Sequence, residues 1–68
     1  MTQCERILKY MDDFGSISTM QAFNDLGVTR LASRIHDLRR MGIVIESETK
    51  YGKNRYGERI HYSVYRRM

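Results

Sequence analysis

The sequence has one cysteine, no proline and no tryptophan among its 68 residues. A lone Cys4 rules out an internal disulfide framework and fits a reducing, cytoplasmic setting. No segment is proline-rich, repetitive or of low complexity, so nothing reads as a linker. No apolar run approaches the ~20 residues of a membrane helix, and the opening residues lack the apolar centre of a secretory signal. No membrane partner is expected. Cys4, His36 and His61 lie far apart and show no zinc-ligand spacing. Gly52 and Gly57 flank a loop without the strand-loop-helix context or Lys-Ser/Thr ending of a phosphate-binding loop. The adjacent carboxylates Asp12-Asp13 close a surface helix, where solvation accounts for them. The expectation is a protein with no enzymatic activity, cofactor, metal or small-molecule substrate.

What the sequence does contain is charge of uneven distribution. Residues 1–29 hold Arg6 and Lys9 against Glu5, Asp12, Asp13 and Asp25, a net of −2. Residues 30–68 hold ten Lys/Arg against Asp37, Glu46, Glu48 and Glu58, a net of +6. The whole excess lies in the second half, which points to a polyanionic partner on one side of the molecule. Nucleic acid comes first and an anionic membrane surface second. A chain this short forms one domain, residues 1–68, and buries only about 60% of the surface its unfolded form exposes.

Hydrophobic periodicity divides the chain into three helices and a hairpin. Thr2 and Glu5 have capping-box spacing ahead of a stripe formed by Cys4, Ile7, Leu8, Met11 and Phe14, and Gly15 ends the helix. Cys4 on that stripe reads as a small core residue. Ser16-Ile17-Ser18 is long enough only for an edge strand. Ser18 and Gln21 repeat the capping-box spacing and start a short helix near Thr19, with Ala22, Phe23 and Leu26 on one face, Met20 at its rim and Gly27 at its end. Only Val28 and Thr29, the latter placed as an N-cap, separate it from a third helix of about Arg30 to Met41. Two helices joined by so tight a glycine-containing turn make a helix-turn-helix. In the third helix Leu31, Ile35 and Leu38 face the core. Arg30, Ser33, His36, Asp37 and Arg40 take the opposite side, Arg34 and Arg39 flank the stripe, and Gly42 stops the helix. A strand over Ile43–Lys50, a polar tip over Tyr51–Glu58 and a strand over Arg59–Tyr65 then form a hairpin.

The stretch Leu26-Gly27-Val28-Thr29-Arg30-Leu31-Ala32-Ser33-Arg34-Ile35-His36-Asp37-Leu38-Arg39-Arg40-Met41-Gly42-Ile43 resembles a family of small phage and prophage helix-turn-helix proteins. In that family a turn ending in Thr leads into an Arg-Ile-His-Asp-Leu-Arg helix and then a Gly-Ile strand. The likeness covers roughly residues 20–45. It implies an α+β winged helix-turn-helix fold, with three helices, a C-terminal β-hairpin wing and a short third strand near residues 16–18, and it implies DNA binding.

A recognition helix needs short polar residues at its N-terminus and longer donors one or two turns on. Thr29, Arg30 and Ser33 meet the first requirement, and Arg34, His36 and Arg40 the second. Asp37 has the chemistry to accept from a cytosine amino group, or to pair with Arg40 on its own helix. In the wing, Lys50, Lys53, Asn54, Arg55 and Arg59 are candidates for backbone phosphates or the minor groove. Tyr51 and Tyr56 beside them could lie against sugars, but tyrosine at a hairpin end more often packs the sheet edge. The partner expected is double-stranded DNA, bound by a transcriptional regulator as a homodimer or as adjacent copies. The rival readings are an excisionase-like or architectural DNA-binding protein, a winged-helix module that docks protein, and a module for RNA or structure-selective nucleic-acid binding.

Overall fold

The computed structural model describes residues 1–68 as α1 (Gln3–Phe14), β1 (Ile17–Ser18), α2 (Thr19–Leu26), α3 (Leu31–Arg40), β2 (Ile45–Lys53) and β3 (Arg59–Arg67). The strands form one antiparallel sheet in the order β1-β3-β2, with β1 at the edge against Tyr65 and Val64. No helix is long and apolar enough to cross a membrane.

Each helix begins where a side chain can accept an orphan N–H, except α3. Thr2 Oγ1 accepts from the Glu5 N–H at 3.1 Å and itself donates to the Glu5 carboxylate. That closes one half of the expected capping box and replaces the other half. Ser18 and Gln21 form the full reciprocal box, at 3.2 and 2.9 Å. Thr29 does not cap α3: the N-cap is Arg30 (φ −124°, ψ 60°), which supplies no side-chain hydrogen bond. Thr29 stands one residue too early for its hydroxyl to reach the donors an N-cap serves.

At its other end α3 stops in a Schellman turn. Gly42 takes φ +91° and donates to Arg39 O at 3.0 Å, while Ile43 N donates to Leu38 O at 3.2 Å and packs on the core. This turn consumes Gly42–Val44, so β2 starts at Ile45 rather than at Ile43. The Arg39 guanidinium then donates to Ile45 O from Nε at 3.2 Å and from Nη2 at 2.8 Å, tying the root of the hairpin to the last turn of α3.

The core comprises Ile7, Tyr10, Met11, Ile17, Ala22, Val28, Leu31, Ile35, Leu38 and Ile45, with Cys4, Leu8, Leu26, Ile43 and Tyr65 packed against it. Periodicity located Leu31, Ile35 and Leu38 correctly; all three are at most 1% exposed. It misplaced the aromatics. Phe14 and Phe23 are 70% and 55% exposed, because the stripes they belong to close over the core through Tyr10 and Ala22 instead. Tyr10 lies between Phe14 and Asp25. Its ring is 4.7 Å from that of Phe14, and its hydroxyl donates to the Asp25 carboxylate at 2.5 Å. That hydrogen bond, with burial and the carboxylate's charge, raises the phenol above its ordinary 10.0. Val28, with no accessible surface, turns the α2–α3 connection into a core contact.

The hairpin is longer than its sequence pattern indicates. Lys53 pairs with Arg59 and Tyr51 with His61, so Tyr51, Gly52 and Lys53 belong to the strand and only residues 54–58 form the tip. Asn54 builds that tip: its side-chain oxygen accepts from the N–H groups of Tyr56 (2.9 Å) and Glu58 (3.0 Å). Only Ile45 and Val64 of the two long strands are buried. The distal hairpin therefore stands clear of the body, within overall extents of 39 × 21 × 21 Å.

Candidate nucleic-acid interface

Burying Leu31, Ile35 and Leu38 leaves one face of α3 for a partner. On it or at its start, Thr29, Arg30, Ser33, His36 and Arg40 are exposed, while Arg34 and Asp37 are half-buried. Asp37 pairs with Arg34 (Nη2 to Oδ2, 3.2 Å), not with Arg40. The i,i+3 contact therefore runs toward the helix N-terminus, neutralises Asp37 and leaves Arg40 unpaired. It also commits Arg34, whose buried Nε has no acceptor. α3 thus starts without a side-chain cap for its first N–H groups, and that end of a helix favours an anion.

In the wing, alternation divides residues that look like one basic cluster in the sequence. Lys53 and Arg59 are directly opposite each other and share a face with Tyr51 and His61. Lys50 pairs with Tyr62 on the other face. There Ile60, Tyr62 and Val64 join Ser18–Gln21 around a cleft of about 470 Å³. Arg55 projects from the tip. Asn54 is occupied in holding the tip together, and its amide also reaches the Glu58 carboxylate at 3.3 Å.

Of the ten basic residues after position 29, Arg34, Arg66 and Arg67 form ion pairs with Asp37, Glu48 and Asp12, and Arg39 is held by a backbone carbonyl. The six without an acidic or carbonyl partner are Arg30, Arg40, Lys50, Lys53, Arg55 and Arg59. All six lie at the start or end of α3 or in the wing, and all are exposed. Cations that the fold leaves unneutralised keep their full field for an external polyanion.

The wing aromatics do not pack the sheet edge: Tyr51 and Tyr56 are 80% and 84% exposed, and His61, the one ring near Tyr51, is exposed as well. Projecting the strand register one turn further into the presumed loop would have placed Tyr51, Lys53, Arg59 and His61 on a common face.

Helix α3 with one face free, entered through a tight turn from α2 and followed by a basic hairpin paired to a short strand, is a complete recognition-helix-and-wing arrangement. No curated protein and no solved structure matches the chain. The family model described as a winged helix-turn-helix domain matches residues 2–66, and the chain belongs to that family, whose architecture is one of DNA binding.

Proposed function

We propose that the protein is a sequence-specific double-stranded DNA-binding protein of phage or prophage type, acting in transcriptional control. In this reading α3 enters the major groove and the wing follows the backbone into the neighbouring minor groove. The observation that carries it is the imbalance of unpaired cations: six stay exposed and without a partner on α3 and the wing, against Arg6 alone on α1, where Lys9 pairs with Asp13. Arg30 and Arg40 lie nearly three turns apart and bracket Ser33 and His36. That spacing suits long donors on guanine O6/N7 or phosphate, with short polar groups between them close to base edges. Asp37, already neutralised by Arg34, adds little repulsion toward the duplex. In this reading Lys53, Arg55 and Arg59 meet phosphates, and Lys50 does so from the other face of the wing. Thr29 lies beside the uncapped start of α3, where a phosphate is favoured.

One recognition helix reads few base pairs, so useful specificity calls for two copies on DNA. Selection from random duplexes by the purified protein, at a fixed salt concentration, tests the proposal. Enrichment of a motif is expected, and a palindrome would define both operator and dimer. Binding without enrichment would replace specific regulation by an architectural role, and absence of binding at low salt would overturn the proposal.

A further inference from the structure

The face of the wing bearing Tyr51 has more apparatus than phosphate contact requires. Tyr51 is four-fifths exposed on a regular strand, where a tyrosine ordinarily packs a neighbour. Its one aromatic neighbour, His61, is 6.5 Å away between ring centroids with planes 51° apart. That lies at the loose end of the ~4.5–7 Å range over which rings hold one another, so most of the Tyr51 ring stays open. Beside it Tyr51, Gly52, Lys53 and Arg59 line a concavity of about 290 Å³, with an aromatic wall on one side and two unpaired cations on the other. The turn held by Asn54 fixes the tip above it.

An aromatic face next to cations is the arrangement by which proteins hold unpaired nucleotides: the base stacks and the flanking phosphates meet the positive charge. In an uninterrupted duplex both faces of every base are covered by neighbours, so the Tyr51 ring could touch only sugar edges. We propose that this face of the wing is a stacking site for an unpaired nucleotide, with Tyr51 against the base and Lys53 and Arg59 on adjoining phosphates. The protein then favours duplex carrying a single-stranded end or gap over uninterrupted duplex. The inference extends the duplex-binding reading and rests on it for bringing the wing to DNA.

The test compares one blunt duplex, the same duplex with a five-nucleotide thymine tail on either the 5′ or the 3′ strand, and a thymine single strand. Affinities are measured by anisotropy of labelled DNA at fixed salt for wild type, Tyr51→Ala, Tyr51→Phe and Tyr51→Leu. Because Tyr51 buries almost nothing, all three variants are expected to fold. One of the two tails should tighten wild-type binding roughly tenfold, within the range of one base–aromatic stack. Tyr51→Phe should keep that gain. Tyr51→Ala and Tyr51→Leu should lose it while binding blunt duplex within about twofold of wild type, since an apolar residue of similar bulk does not stack. Equal binding of blunt and tailed duplexes by wild type would overturn the inference and leave duplex recognition intact. A tail preference that survives in Tyr51→Ala or Tyr51→Leu would overturn the role given to this face. Failure to bind blunt duplex would instead refute the duplex reading, with the tailed and single-stranded arms still deciding whether Tyr51 holds a base.

Discussion

Helix α3 and the distal wing both present unpaired cations, but on different structural terms. Every third or fourth residue of α3 is core, and Arg30 and Arg40 project from the two ends of a helix whose other face is Leu31, Ile35 and Leu38. Beyond Val64 the wing buries nothing and is held together by its own ladder and by Asn54. The contrast assigns different work to each. A helix fixed against a core presents its donors in one geometry, which is what reading base edges demands, whereas a free-standing basic hairpin suits phosphate contact that tolerates any sequence. In α3 stability and binding are entangled; in the wing they separate.

The largest effect should come from attacking the support of α3. Leu38→Ala removes a side chain with no exposure and should cost about 2–5 kcal/mol. A core this small supplies only about 3–5 kcal/mol in total, so the variant should be largely unfolded by circular dichroism at 25 °C. Tyr56→Ala at the wing tip should change the urea midpoint by no more than about 0.5 kcal/mol equivalent. Similar losses for the two variants would erase the contrast.

Next in size is discrimination. Arg30→Ala and Arg40→Ala should each weaken a selected site by about 1–3 kcal/mol while weakening random duplex less, as read by competition binding. Lys53→Ala and Arg55→Ala should weaken both DNAs alike. Each should also make the slope of log K against log salt less steep by about 1, the signature of one lost phosphate contact. If the wing variants changed specificity and the α3 variants changed only the salt slope, the assignment of roles would be reversed.

The smallest effect falls on the α1–α2 contact, which neither DNA-facing region includes. With its pKa raised, the folded protein holds the Tyr10 proton more tightly than the unfolded chain does. The stabilisation is therefore fully present below about pH 10 and is lost as pH rises through the folded-state value. In an ultraviolet alkaline titration one of the five tyrosines should ionise later than the rest, and Asp25→Asn should bring it closer to them. DNA affinity at neutral pH should be unaffected.

How much was legible in the sequence follows the same division. Elements with a periodicity of 3.6 and a marked end were readable to within a residue or two: α1 and α2 with their serine or threonine caps, and α3 with its three core positions and Gly42. Caps and pairs that depend on a single-residue offset were not. Thr29 and Arg30 differ by one position, and Asp37 had arginines at both i−3 and i+3 to choose between. The exposure of Phe14 and Phe23 was hidden because a helical stripe shows which side is apolar but not how far the neighbouring helix extends over it. In the wing, composition identified the cations. Their division between two faces needed the register, which pairing between strands fixes and which glycines at 52 and 57 obscured.

The central claim is that duplex DNA meets the protein through the free face of α3 and the wing. Its most direct test is the backbone amide ¹H–¹⁵N spectrum of the labelled protein, titrated with duplex at low salt. The account predicts that shifts concentrate at Arg30, Ser33, His36, Arg40, Lys53, Arg55 and Arg59 while Glu5, Lys9 and Asp13 of α1 stay unmoved. Shifts centred on α1 and the exposed Phe14, or no shifts at all, would contradict it.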